Sequence, residues 1–257
     1  MNFRFWTLVG MSLLCWATQD SIVTGQGRRA DVGKRPNPIP GVAQRQLAVL
    51  GDRMWVSGKE LTIYAGDVVD AAGNSSPAQV IYQLPGLVRL AGFKPGRTVL
   101  SFDGERPFGV ISNDDALLLE TFVMDTAEGM LASIQESAAV RLLGLGFGPD
   151  PRKTPKSAGA RYDIFDVTST VHSRFDKVTR SKLYYFDSST GLLQSTRYYD
   201  RSRSSPVRME TRFSDWRNID GSSYPGRIDH FEGGERVFSF VAKAITAAPR
   251  LEPERFR

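Results

Sequence analysis

The sequence predicts a mainly β protein with one helical segment, an α+β arrangement in which a strongly curled antiparallel sheet is covered by the helix. Three observations predict it. Val207-Arg-Met-Glu-Thr-Arg-Phe213 alternates apolar or small residues with charged ones, the period of a sheet with one wet face. Short segments of this kind recur from Lys182 to Ile245, separated by turn residues. In the middle of the chain the period changes: Val123, Ala127, Met130, Leu131 and Ile134 fall on one helical stripe, with Phe122 beside it.

The elements follow in order. Met1-Asn-Phe-Arg4 is a short cationic start, Phe5 to Trp16 is mostly apolar, and small residues stand at Ala17 and Gly25. Residues 1–25 thus have the layout of a secretory signal peptide, too short to span a membrane, and export is the expectation. Cleavage after Ala17 or after Gly25 removes Cys15, so the mature chain has no disulfide and no thiol nucleophile. Residues 26–45 mix Gly, Pro and charge without a period and read as a flexible linker, which leaves 46–257 as one domain. Weak helical spacing runs through Leu47, Leu50 and Met54.

Lys59 to Val69 reads as a strand, Ala71 to Pro77 as a turn, and Gln79 to Ala91 as a second strand in which Pro85 signals an edge or a bulge. A Lys94-Pro-Gly96 turn leads to a third strand at Thr98 to Phe102. Asn113-Asp-Asp115 offers a helix cap with acids where the helix dipole favours them, and Gly129 should bend or divide the helix. After Gly144-Leu-Gly-Phe-Gly148 and a polar loop from Pro149, strands resume at Arg161–Val171, Lys182–Phe186, Leu192–Tyr199, Val207–Phe213, Tyr224–Phe231 and Val237–Ile245. Asp187-Ser-Ser-Thr-Gly191, Asp220-Gly221 and Gly233-Gly234 supply hairpin turns.

Composition narrows the function. Apolar content of 41% supports a sizeable core, and the net charge of +5 is spread among carboxylates, a solvated surface rather than a nucleic-acid face. Catalysis finds little to work with. No G-x-S-x-G, H-E-x-x-H or C-x-x-C occurs, and the two histidines, His172 and His230, are far apart. His230 lies in a polar strand stretch and reads as solvent-facing or paired with a carboxylate. Gly144-x-Gly-x-Gly148 is followed by Pro149 and Pro151 where a phosphate loop needs a helix N-terminus. Asn74-Ser-Ser76 is both a formal glycosylation acceptor and a plain turn. The reading is a non-enzymatic protein with no cofactor and no metal.

What remains is apolar surface. Tyr64, Tyr82, Leu84, Leu87, Phe102, Phe122, Met124 and Met130 gather where the strands meet the helix. Aromatic and Met side chains suit a cavity that accepts varied apolar shapes, and the same residues also suit a closed core.

Three segments resemble a known family. Gln83-Leu-Pro-Gly-Leu-Val-Arg89 is similar to the proline-to-arginine strand motif of the periplasmic lipoprotein-localisation (LolA/LolB-like) superfamily. Gly96-Arg-Thr-Val-Leu-Ser-Phe-Asp-Gly104 resembles the strand and turn that follow it there. Phe186 to Leu193, Ile219 to Pro225 and Phe238-Ser-Phe240 resemble the closing meander of exported members. The resemblance implies an unclosed β-barrel whose helices cover an apolar cavity receiving acyl chains. It places Arg89 where the family arginine ties strand to lid. It implies a periplasmic monomer that holds a lipid or acyl chain, a lipoprotein's among them. The rival expectation is an envelope structural or sensor module with a filled core that acts through a protein partner.

Overall fold

The computed structural model describes residues 60–256 apart from 84–86, 95–96, 111, 131–138, 148–160, 173–176 and 202–203. The signal segment, the linker, the spacing around Leu47, and Leu84, Leu131 and Ile134 lie outside the described residues. The strands are β1 (Glu60–Asp70), β2 (Ser75–Gln83), β3 (Leu87–Lys94), β4 (Arg97–Asp103), β5 (Pro107–Phe108), β6 (Ala139–Phe147) and β7 (Arg161–His172). They continue with β8 (Lys177–Asp187), β9 (Leu193–Asp200), β10 (Val207–Ser214), β11 (Arg217–Ile219), β12 (Ser222–Tyr224), β13 (Arg227–Glu232) and β14 (Glu235–Pro249). Helix α1 spans Asn113–Met124.

Twelve strands form one antiparallel sheet in the order β5-β4-β3-β2-β1-β14-β13-β10-β9-β8-β7-β6, and β11 pairs with β12 apart from it. Neighbours in sequence are mostly neighbours in space, and β14 returns to pair along the whole of β1. The two edges, β5 and β6, are consecutive in the chain, and α1 lies in the segment that joins them. The sheet is therefore unclosed, as the resemblance implied.

Tight turns set the register. Asp220 and Gly221 both have positive φ, 50° and 80°, and link Ile219 to its partner Ser222, the geometry of a primed two-residue hairpin. At Gly66 a Cβ would stand 2.0 Å from the Val241 carbonyl oxygen, so only glycine admits this close approach. The register with β14 shifts there, between Ala65 and Gly66.

One core fills the inner face. Tyr64, Val80, Tyr82, Val88, Leu90, Phe165, Phe186, Phe213 and Phe240 belong to it, with Phe122 and Met130 entering from the helical segment. By the alternation of the pleat, Leu61, Ile81 and Leu87 face the other way, where Phe256 packs on them. The Gln83 amide fastens that returning tail. Its Nε2 donates to the Leu251 carbonyl at 2.8 Å, and its Oε1 accepts from the Leu251 N–H at 2.8 Å.

Five expectations are corrected. The run Gln79–Ala91 is two strands of a hairpin, with Gln83 paired to Leu87 across three residues that include Pro85; proline has no N–H for a ladder. Tyr224–Phe231 is likewise divided between β12 and β13. The helix cap is Ser112, whose Oγ accepts from the Asp115 N–H while Asp115 accepts from the Ser112 N–H, a reciprocal box. The helix breaks at Asp125 and Thr126 rather than at Gly129, and residues 127–130 are helical again. Ala139–Phe147, with its three glycines, forms the edge strand β6.

Candidate groove and buried charge network beneath the helix

Helix α1 has two kinds of neighbour. On one side Phe122 is fully buried, 5.0 Å from the Phe93 ring and stacked at 5.9 Å on Phe238. The Tyr82 hydroxyl donates to the Phe122 carbonyl at 2.8 Å. On the other side stands a charged network that the strand alternation hides.

Lys182 is 1% exposed, and its Nζ lies 2.6 Å from both Glu120 Oε1 and Asp125 Oδ1. Arg180 adds contacts of 3.3 Å to Glu120 and to Asp200. The Lys182 ammonium also sits 4.3 Å over the Tyr198 ring. Burial pulls the Lys182 ammonium down, but Asp125 and Glu120 more than offset it and hold it above the ordinary lysine range. Burial, reinforced by the same two carboxylates, pushes the Tyr184 and Tyr198 hydroxyls well up. The Tyr184 hydroxyl donates to the Met124 carbonyl at 2.5 Å.

The network ends at His230. Thr211 Oγ1 donates to Asp125 Oδ2 at 2.8 Å and stands 3.1 Å from His230 Nδ1. The ring stacks on Phe238 at 5.4 Å and is 3% exposed. It is neither solvent-facing nor carboxylate-paired. Burial lowers its pKa to about 4; Lys182 works the same way, while Glu232 and Glu120 oppose, so the imidazole is neutral at pH 7.

The expected site residues divide. Tyr64 and Tyr82 meet edge to face at 5.8 Å, and Phe102, Phe122 and Met130 pack in the same core, with half-buried Met124 closing α1. The space beside Tyr64 and Tyr82 is about 10 Å³, room for one water at most. Leu87 and Arg89 project from β3 on the face away from this core, by the alternation with Val88 and Leu90.

A wider space lies at the N-terminal half of α1. A groove of about 560 Å³ runs between α1, the β1–β2 turn, β3, β13 and β14. Val68, Phe93, Leu117, Leu118, Val237 and Phe238 make its apolar lining, and His230 reaches it as well. Asn74 on its rim is held in the turn, its N–H and amide bonded to Asp70 at 2.8 and 2.9 Å.

Sequence reasoning missed Glu120, Asp125, Lys182 and Thr211. A signal was there: Lys182 shares the inward parity of Tyr184 and Phe186, and Thr211 that of Met209 and Phe213. Glu210, expected on a wet face, is 2% exposed and takes Arg197 at 2.9 Å and Arg212 at 2.7 Å.

Among solved structures, this chain is similar to a LolA superfamily protein of Nitrosomonas europaea, with a TM-score of 0.53. That alignment covers 85% of this chain and 96% of that one at 11% identity. The fold is that of the LolA superfamily. A domain assigned as an outer membrane lipoprotein-sorting protein of Vibrio parahaemolyticus has the same LolA-like fold, with a TM-score of 0.51 and 11% identity, covering 84% of this chain and 94% of that one. At such identities the fold is shared and the sequence has diverged. No protein-family model matches this chain, and no curated relative does.

Proposed function

We propose that this protein is an exported, periplasmic, non-enzymatic binding protein that holds a lipid or acyl chain, free or carried by a lipoprotein. It acts as a monomer without a cofactor. The single observation that carries the reading is the groove of about 560 Å³ beside α1, a volume within the range of small-molecule sites. Six apolar residues line it, and an acyl chain entering it leaves water at about 0.8 kcal/mol per buried CH₂. The likeness to a lipoprotein-sorting domain supports the reading at the level of fold.

The test is displacement of an environment-sensitive lipid probe by long-chain lipids and lipopeptides, with mass spectrometry of lipids that co-purify. Displacement is expected. Val237→Asp, at a 36% exposed groove position, should weaken the probe about tenfold and leave folding stability within about 0.5 kcal/mol. A protein from which no lipid displaces the probe, and with which no lipid co-purifies, sinks the proposal.

One observation favours a second reading, an envelope module working through a protein partner. Edge strand β6 exposes Leu142 and Leu143, at 42% and 44%, beside an edge that no strand among the described residues pairs with. The space beside Tyr64 and Tyr82, by contrast, is only about 10 Å³. That reading gains if lipid binding fails while Leu143→Lys abolishes capture of an envelope partner.

A further inference from the structure

We infer that the groove selects chains headed by a positively charged N–H donor, an aliphatic amine, over chains headed by a carboxylate. The inference rests on the lipid-binding reading and names the ligand class of that same groove.

The first support is an acceptor fixed by its neighbours. Two hydroxyls approach His230 Nδ1, Thr211 at 3.1 Å and Thr121 at 3.5 Å. Each has one proton, and each gives it elsewhere. Thr211 donates to Asp125 Oδ2 at 2.8 Å, and Thr121 donates to the Leu117 carbonyl at 2.9 Å. Their oxygens are left as acceptors, so Nδ1 carries the hydrogen and Nε2 keeps its lone pair. The ring is 3% exposed and borders the groove, and no described residue engages Nε2. Nε2 is not among the buried atoms that lack a partner, so it meets solvent at the groove, where a ligand N–H can take the place of water.

The second support is the charge of the lining. Among the described residues of the lining, Asp70, Asp114 and Glu232 are acidic and Lys94 is basic. Lys94 is already held at 2.8 Å by Asp115, whose side chain is fully buried. Hydrogen bonds from Asn74 hold the Asp70 carboxyl below its usual range, so it stays ionised. His230 supplies no charge near neutral pH because burial keeps it neutral. Capping explains Asp114 at the helix start and Asp70 in its turn, each singly. Neither explains the open acceptor between them. A carboxylate head meets carboxylates and a lone pair here, whereas an ammonium satisfies both.

The test compares dodecylamine, dodecanol and dodecanoate, all below micelle formation, as displacers of one lipid probe at pH 7 and low salt. The amine should bind tightest, at least tenfold over the carboxylate, with the alcohol between them. Asp114→Asn with Glu232→Gln should shrink the amine–carboxylate gap at least threefold and leave the alcohol unchanged. His230→Phe keeps the stack on Phe238 and removes Nε2, so amine and alcohol should weaken together. If that variant does not fold, the surface pair decides. A carboxylate that binds as tightly as the amine overturns the selection and leaves the carrier standing. Failure of all three chains overturns the carrier and the selection together.

Discussion

The apolar flank of the sheet, β1–β4 with β14, and the polar flank, β8–β10 with β13, grip the same helix by opposite physics. On the first, Phe93, Phe238 and Phe240 surround Phe122 and any well-shaped hydrocarbon serves. On the second, Lys182 is held between Glu120 and Asp125, and only a buried cation keeps those carboxylates satisfied. Dispersion contacts weaken gradually as a helix slides, but a buried ion pair fails at once when parted. The end of α1 that carries Glu120 and Asp125 is thus pinned. The end that carries Asp114, Leu117 and Leu118 borders the groove; the Lys94–Asp115 pair and apolar packing of Leu117 and Leu118 hold it.

The comparison can be broken most directly at Lys182. Lys182→Met leaves buried Asp125 without its cation and Glu120 with Arg180 alone, and should cost about 3–5 kcal/mol in urea unfolding. A loss below about 1 kcal/mol would show that the polar flank does not anchor the helix. Phe122→Ala tests the other flank. It should cost about 3 kcal/mol, with Phe93 and Phe238 relaxing partly into the space.

Acid titration separates the flanks by another route. The folded-state pKa of His230, about 4, lies below its ordinary 6.5, so the unfolded chain binds the extra proton between those values. Stability from this residue is full above pH 6.5 and is lost as pH falls toward 4, by up to about 3 kcal/mol. His230→Gln should flatten that part of the stability–pH curve, and an unchanged slope would contradict the neutral, buried ring. The smallest effect belongs to the outer face. Gln83→Ala strands the Leu251 N–H and carbonyl and should cost about 1–2 kcal/mol, with faster hydrogen exchange in the tail and unaltered lipid binding.

Much of the fold was legible because its signals are local. Val207–Phe213 alternates as a strand of one period must, and β10 buries Met209, Thr211 and Phe213. Asp220-Gly221 and Gly233-Gly234 make turns because their positive φ values suit these residues. Two features misled for a physical reason. The two strands that pair at Gln83 and Leu87 carry a similar apolar pattern, so Gln79–Ala91 reads as one strand. Glu210 obeys the alternation yet is buried, because two long arginines fold over it.

By itself the sequence determined most of the strands, several of their turns and the position of the helix, since each depends on residues near in the chain. Tertiary structure alone decided that Glu120 and Asp125 meet a lysine some 60 residues on, and that His230 becomes a buried acceptor at the edge of a groove. It also decided that an open groove lies beside the first turns of α1 while the space beside Tyr64 and Tyr82 is nearly closed. Charge pairing and empty space arise between elements distant in the chain, and no local period encodes the distance between them.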